Sequence, residues 1–396
     1  MIQISPETQL FIREHSSDDV RTLALQAKKY PDINMPTAIT QIAGRQVAAE
    51  KIPSWREIEE IWYPKHLSLE QCSSEITARY KARLFQGDSL TDLTGGFGID
   101  CSFLATGFKS ATYVERQEEL CEIAAHNFPI LNLNHINVRN ENGVAYLQTM
   151  SPVDCIFLDP ARRNEHGGKT VAISDCEPNV AELEALLLSK ANRVMIKLSP
   201  MLDLSLALKE LKHTQEIHIL SVNNECKELL ILLRQTSPAE IAIHCVNLLT
   251  KGTQEEQHLV FTREQEQRSQ CTYTDSLGNY LYEPNASLLK AGAFRSIAAA
   301  YPVRKLHPNS HLYTSDSFIE NFPGRIFRIV NQCSFNKKEV KENLADLKKA
   351  NVTVRNFPAT VAEHRKRLHL TEGGDTYLFA STLNNGQKVI IRCEKV

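Results

Sequence analysis

The chain has 396 residues, 42% hydrophobic and 23% charged, a balance that excludes whole-chain disorder, collagen and coiled coil and predicts about two to four domains. No run approaches ~18 apolar residues, and the start, MIQISPETQL, has no basic-then-apolar leader. Neither a membrane span nor a secretory signal is expected, and the setting is read as cytoplasmic. The formal net charge is −2, yet Arg325 to Val396 carries 14 Lys and Arg against 7 Asp and Glu, a +7 tail on a −9 body.

Residues 1–66 read as helical: Ser5-Pro6-Glu7 is a cap signal, Asp18 and Asp19 open a second helix, and PSWREIEEIWYP makes a short one. SLEQCSSEITARYKARLFQGD follows as an amphipathic helix with Ile76, Tyr80, Leu84 and Phe85 on its apolar face. From Gly87 to about residue 236, short apolar runs alternate with helical stretches, which predicts βαβ units and a parallel sheet covered on both faces. Its last two strands, EIHILSVNN and ELLILLRQT, have no helix between them and are expected to be antiparallel. Residues 237–325 read as a small α+β unit, with a hairpin about Ser276–Asn279 and one helix over NASLLKAGAFRSIAAAY. Residues 326–396 read as a basic α+β module ending in a hairpin at NNG. Ten cysteines are spread thinly, with no CxxC and no Cys/His cluster at zinc spacing, so free buried thiols and no metal are expected.

The sharpest chemical signal is Asp92-Leu93-Thr94-Gly95-Gly96-Phe97-Gly98, between a strand and a helix. Glycines there let backbone approach a ligand, and free N–H groups face it. A dinucleotide loop would read GxGxxG, but Cys101 stands at the third glycine and an acid leads the loop. A leading carboxylate repels a pyrophosphate and suits a cation, which points to S-adenosylmethionine (SAM). Glu115, 23 positions after Asp92 and ending the second strand, stands where a ribose-binding acid is expected, with Arg116 beside it. After the third strand, Asn142 and the adjoining Gly143 are placed to meet the adenine. The fourth strand ends in Asp159-Pro160-Ala161-Arg162-Arg163. Open parallel sheets bind ligands beyond the carboxyl ends of their strands, so Asp159 is the candidate catalytic group. Pro160 stiffens the turn, and Arg162 and Arg163 can hold an anion.

This series resembles class I SAM-dependent methyltransferases. DLTGGFG is similar to their glycine-rich first motif, and DPAR to the Asp-Pro-Pro motif of guanine-N2 and uridine-C5 RNA methyltransferases, with Ala161 in place of the second proline. Gln71–Ala78 resembles the helix that lids the cofactor in guanine-N2 enzymes. The tail, with VTVRNFP and GGDTYLFAST, resembles a THUMP-like domain of an uncharacterised bacterial group. The resemblance implies a Rossmann-like seven-stranded α/β methyltransferase domain over 67–236 between the helical region and the C-terminal α+β modules. It implies SAM held by Asp92, Thr94, Gly95, Gly96, Phe97, Gly98, Glu115, Arg116, Asn142, Gly143 and Asp159, and catalysis by Asp159, Pro160 and Arg162. It also implies an RNA substrate bound through the basic tail, where Lys337, Lys338, Lys341, Lys348, Lys349, Arg355, Arg365, Lys366 and Arg367 can meet phosphates. Uridine-C5 enzymes use a nucleophilic cysteine, for which Cys226 is the nearest candidate. A protein or small-molecule acceptor, a fold that binds without turnover, and a nicotinamide dehydrogenase are the competing readings.

Overall fold

The computed structural model describes residues 4–162, 172–236, 238–252 and 254–396, without the side chains of residues 66–68 and 162. The chain forms two compact units, Met1–Gln215 with Leu230–Ser237, and Glu216–Leu229 with Pro238–Val396.

The first unit opens with six helices: α1 Pro6–Glu14, α2 Val20–Leu25, α3 Met35–Lys51, α4 Pro53–Arg56, α5 His66–Gln71 and α6 Glu75–Leu84. The expected caps form: Ser5 Oγ accepts from the Thr8 amide at 3.2 Å, and Asp19 Oδ1 from the Thr22 amide at 2.8 Å. Phe11, Ile12, Leu23, Met35, Ala38 and Ile42 make one small core. Trp55, Ile61 and Tyr63 make another with Phe97 and Ile99 of the glycine-loop region, Trp55 meeting Phe97 edge-on at 5.3 Å. The buried face of α6 differs from the apolar stripe expected: Ile76 and Leu84 are half-buried, while Thr77, Ala78, Tyr80 and Lys81 face inward. A lysine takes the place of an aliphatic side chain because a buried acid awaits it.

Strands β1 Gly87–Asp92, β2 Phe108–Glu115, β3 Ile136–Asn140, β4 Val153–Leu158 and β5 Ala191–Leu198 alternate with α7 Ile99–Ala105, α8 Glu118–Ile130, α9 Gly143–Thr149 and α10 Val180–Lys190; α11 Leu204–Glu210 follows β5. All their pairings are parallel: β1 with β2 and β4, β2 with β3, β4 with β5. Cys155 to Leu158 and Val194 to Ile196 are buried, as strands covered on both faces require. β6 Thr214–Val222 and β7 Glu225–Arg234 are neighbours joined by Asn223 and Asn224 at φ 48° and 70°. A two-residue link of that handedness is a hairpin turn, so the pair is antiparallel, as expected. The sheet order is β9-β8-β6-β7-β5-β4-β1-β2-β3, with β8 Ala242–Leu248 and β9 Glu256–Thr262 beyond the expected seven strands. β8 pairs with β6 in parallel and with β9 antiparallel.

The second unit continues with α12 Arg263–Arg268, β10 Tyr280–Pro284, α13 Ala286–Ala291, α14 Phe294–Ala300, β11 Arg304–Lys305 and β12 Tyr313–Ser315. β13 Gly324–Ser334, α15 Lys337–Leu344, β14 Asn351–Arg355, α16 Val361–Leu368, β15 Thr376–Thr382 and β16 Lys388–Lys395 complete it. Seven strands make one sheet, β11-β12-β10-β13-β16-β15-β14, around Leu281, Phe327, Phe379 and Ile391. The hairpin expected about Ser276–Asn279 does not form, because β10 takes β12 and β13 as partners instead. The single helix expected after it breaks into α13 and α14 at Gly292, whose φ of 75° ends a helical run. Among the described residues no helix is long and apolar enough to cross a membrane.

At the start of α9, a Cβ on Gly143 would stand 2.1 Å from the Leu93 carbonyl oxygen. Gly143→Ala should therefore destabilise the chain by about 1–3 kcal/mol, read as a lower urea midpoint; an unchanged midpoint would show that the α9 junction yields freely.

Candidate functional site

The residues singled out in the sequence begin at the carboxyl end of β1, where a candidate site lies. Asp92 is 1% exposed; its Oδ1 accepts from the Thr94 amide at 2.9 Å, while Oδ2 has no partner among the described residues. Burial pushes this carboxyl up to about 8, with Asp100 and Asp159 adding to the shift and the Thr94 amide and Lys197 opposing it. Thr94 Oγ1 accepts from the Asp159 amide at 2.6 Å, tying the glycine loop to the turn after β4. Gly95 packs so close to Tyr113 that a Cβ would lie 2.2 Å from its ring. Gly96, at φ 55°, has open space where a side chain would be, its nearest neighbour the Thr94 oxygen at 3.8 Å. The ring of Phe97 is buried with Trp55 and Tyr63, so only its backbone is available to a ligand.

Glu115 is 8% exposed and holds the loop: Oε2 accepts from the Gly96 amide and Oε1 from the Gln117 amide, both at 2.9 Å. Each carboxylate oxygen keeps a further lone pair, enough to accept from two hydroxyls. Arg116 is exposed and stands 3.7 Å from Glu177. Asn142 caps α9, its Oδ1 accepting from the Val144 and Ala145 amides at 3.0 and 3.1 Å.

Asp159 and the buried Pro160 end β4 beside a charged network that the motif reading missed. Lys197, at the end of β5, lies 2.5 Å from Asp159 Oδ2 and 3.1 Å from Asp100 Oδ2. Lys81 of α6 is fully buried and pairs with Asp100 Oδ1 at 3.0 Å, and Ser73 donates to Asp100 Oδ2 at 2.7 Å. Burial alone would raise Asp100, but Lys197 and Lys81 together hold it well below the ordinary carboxylate range. Burial lifts the Asp159 carboxyl against the pull of Lys197. The signal was present in the chain: Lys197 interrupts RVMIKLSP and Asp100 sits in GIDCSFLA, charges inside apolar runs. The Arg162 side chain and Arg163 lie outside the described residues. Cys226 stands on β7, and burial pushes its thiol up to about 11, the opposite of an activated nucleophile.

Two families match the second unit, one described as a ferredoxin-like domain over residues 280–323 and one as THUMP domain-like over residues 324–395. No curated protein matches the chain. Among solved structures, a crystal structure described as that of a candidate methyltransferase from Porphyromonas gingivalis W83 is 34% identical, covers 100% of both chains and superposes with a TM-score of 0.87. An rRNA methylase from Streptococcus thermophilus is 14% identical over 40% of this chain and 94% of its own, with a TM-score of 0.31. A candidate methyltransferase from Streptococcus mutans in complex with S-adenosylhomocysteine is 12% identical over 40% of this chain and 96% of its own, with a TM-score of 0.30.

Removing Lys81 leaves Asp100 compensated by Lys197 alone. Lys81→Met should cost about 1–3 kcal/mol, and adding Asp100→Asn should recover part of it. A urea denaturation series on the two single variants and the double variant measures this; strictly additive losses would mean that the two groups are not coupled.

Proposed function

We propose that this chain, which belongs to the methyltransferase family of the Porphyromonas gingivalis protein and ends in a THUMP-like domain, is a SAM-dependent enzyme that methylates RNA. The observation that carries the reading is Asp92: a buried carboxyl with an unpartnered oxygen at the head of the glycine loop. Such a group suits a cation and disfavours a pyrophosphate. Asp92, Thr94 and the backbone of Gly95, Gly96, Phe97 and Gly98 would hold the methionine end. Glu115 and Arg116 would hold the ribose, and Asn142 and Gly143 the adenine. The bound cofactor supplies a methyl group on a positively charged sulfur. The chain's part is to position the acceptor for in-line attack and to keep water away. Asp159 would orient the acceptor, and its burial equips it to take the acceptor's proton as well. Pro160 fixes the turn that presents it, Lys197 fixes its carboxylate, and Arg162 would neutralise a nearby phosphate.

The distribution of charge in the second unit supports RNA as substrate. Arg328, Arg355, Arg365 and Arg392 are taken up in ion pairs with Glu394, Glu283, Glu372 and Asp346. Lys337, Lys338, Lys341, Lys348, Lys349 and Lys366 are exposed and make no ion pair among the described residues. Six unpaired ammonium groups over 30 residues suit a phosphate backbone, positioning RNA without reading its sequence.

Two measurements test the reading. Asp92 is mostly protonated below about pH 8, so binding a cation must expel its proton. SAM affinity by calorimetry should rise about tenfold per pH unit as pH approaches that value from below and level off above it, and Asp92→Asn should flatten the profile. Nucleoside mass spectrometry of total RNA should show one methylated nucleoside lost in cells lacking the protein and restored by the wild type but not by Asp92→Ala. An unchanged RNA profile together with methyl transfer to a protein or small-molecule fraction would overturn the RNA assignment and leave the cofactor assignment standing.

A further inference from the structure

The second unit carries a side-chain cluster that no methyl-transfer chemistry uses. Glu216 and His218 alternate along β6, and His244 sits on β8. The register places Ala242 opposite Glu216 and His244 opposite His218, so all three side chains leave the same face of the sheet. The two imidazoles stack at 4.3 Å with 13° between their planes. Glu216 Oε2 lies 3.4 Å from His218 Nε2 and 3.9 Å from His244 Nε2. One ligand atom from each of the three lies within 4.8 Å of the others.

His244 has a second partner. Its Nδ1 is 3.2 Å from Nε2 of His258, on the neighbouring β9, whose ring stacks at 5.4 Å. Histidine ligands ordinarily use one ring nitrogen for a metal and the other for a hydrogen bond that fixes the ring's tautomer and aim. His244 is laid out for that division, with Nε2 toward Glu216 and His218 and Nδ1 toward His258.

We propose that Glu216, His218 and His244 form a site for a divalent transition-metal ion, zinc in the first instance, with His258 orienting His244. Two imidazoles and one carboxylate are a borderline donor set that suits zinc, with a fourth position left for water or an incoming ligand. Donor atoms of a tetrahedral zinc site stand about 3.4 Å apart at metal–ligand distances near 2.1 Å. The register of β6 against β8 already brings Glu216 Oε2 to 3.4 and 3.9 Å from the two imidazole nitrogens, close to that spacing. The buried His218 anchors the inner side and Glu216 the more open one, their side chains being 3% and 35% exposed. An ion there would pin β8 to β6 across their parallel ladder.

The test uses the full chain after chelator treatment and zinc or cobalt ion alone as the probe. One equivalent of zinc should bind in competition with a chromogenic chelator and raise the melting temperature. Cobalt should give the visible absorption of a four-coordinate ion without the near-ultraviolet band of thiolate ligation, which excludes the cysteines. His218→Ala with His244→Ala should weaken zinc binding at least tenfold. His258→Gln, which spares all three ligands, should weaken it less, and this milder variant keeps the test informative if the double variant fails to fold. Absence of stoichiometric binding in the wild type, a thiolate band on cobalt, or an unaltered affinity in a folded double variant would overturn the site.

Discussion

Two ammonium groups converging on one buried carboxylate, Asp100, hold the first unit together where it matters. Lys81 arrives from α6, Lys197 from the end of β5, and Asp100 itself from the first turn of α7. Transferring such charges from water costs several kcal/mol per ion, so the arrangement is tolerable only while every member keeps its partners. That condition couples the helical region, the glycine-loop helix and the fifth strand into one position-sensitive assembly. Because Lys197 also reaches Asp159, the turn after β4 is held by the same constraint. The carboxyl end of β4 and β5 is thus defined by electrostatics that the apolar core alone would not specify.

What could be read in the chain was whatever local chemistry encodes. The glycine loop, Glu115 and the turn at Asp159 announce themselves through residue type and spacing, because a tight turn or a strand end is decided within a few positions. The alternation of apolar runs and helices from Gly87 onward likewise reports burial on both faces of a parallel sheet. The charged network was hidden for the opposite reason. Lys197 meets Ser73 and Asp100 across separations of 124 and 97 residues, and no local pattern encodes such pairings. The histidines of β6, β8 and β9 escaped in the same way, since cross-strand register and not linear spacing brings them together. The turn residues Ser276–Asn279 point to a hairpin that does not form, because local propensity cannot say which strands β10 will pair with.

Charge in the second unit divides by role. Glu283, 2% exposed, accepts from Arg325 at 2.8 Å and from Arg355 at 3.0 Å, so these arginines belong to the fabric of the sheet. Arg367 lies over the Phe335 ring at 3.9 Å, covering apolar surface with its planar cation. The lysines of α15 and the segments that follow it face water. An excess of positive charge that looks uniform in the sequence is therefore partly internal wiring and partly an outward-facing field, and only the second part acts on a partner at a distance.

The two carboxylate oxygens of Glu115 accept from the Gly96 and Gln117 amides, fastening the glycine loop to the end of the neighbouring strand. Flexible loops lose conformational entropy when a ligand orders them, and that loss comes straight out of affinity. Here the fold itself supplies the ordering, through an acid on the strand next to the loop, so that part of this entropy is already given up in folding.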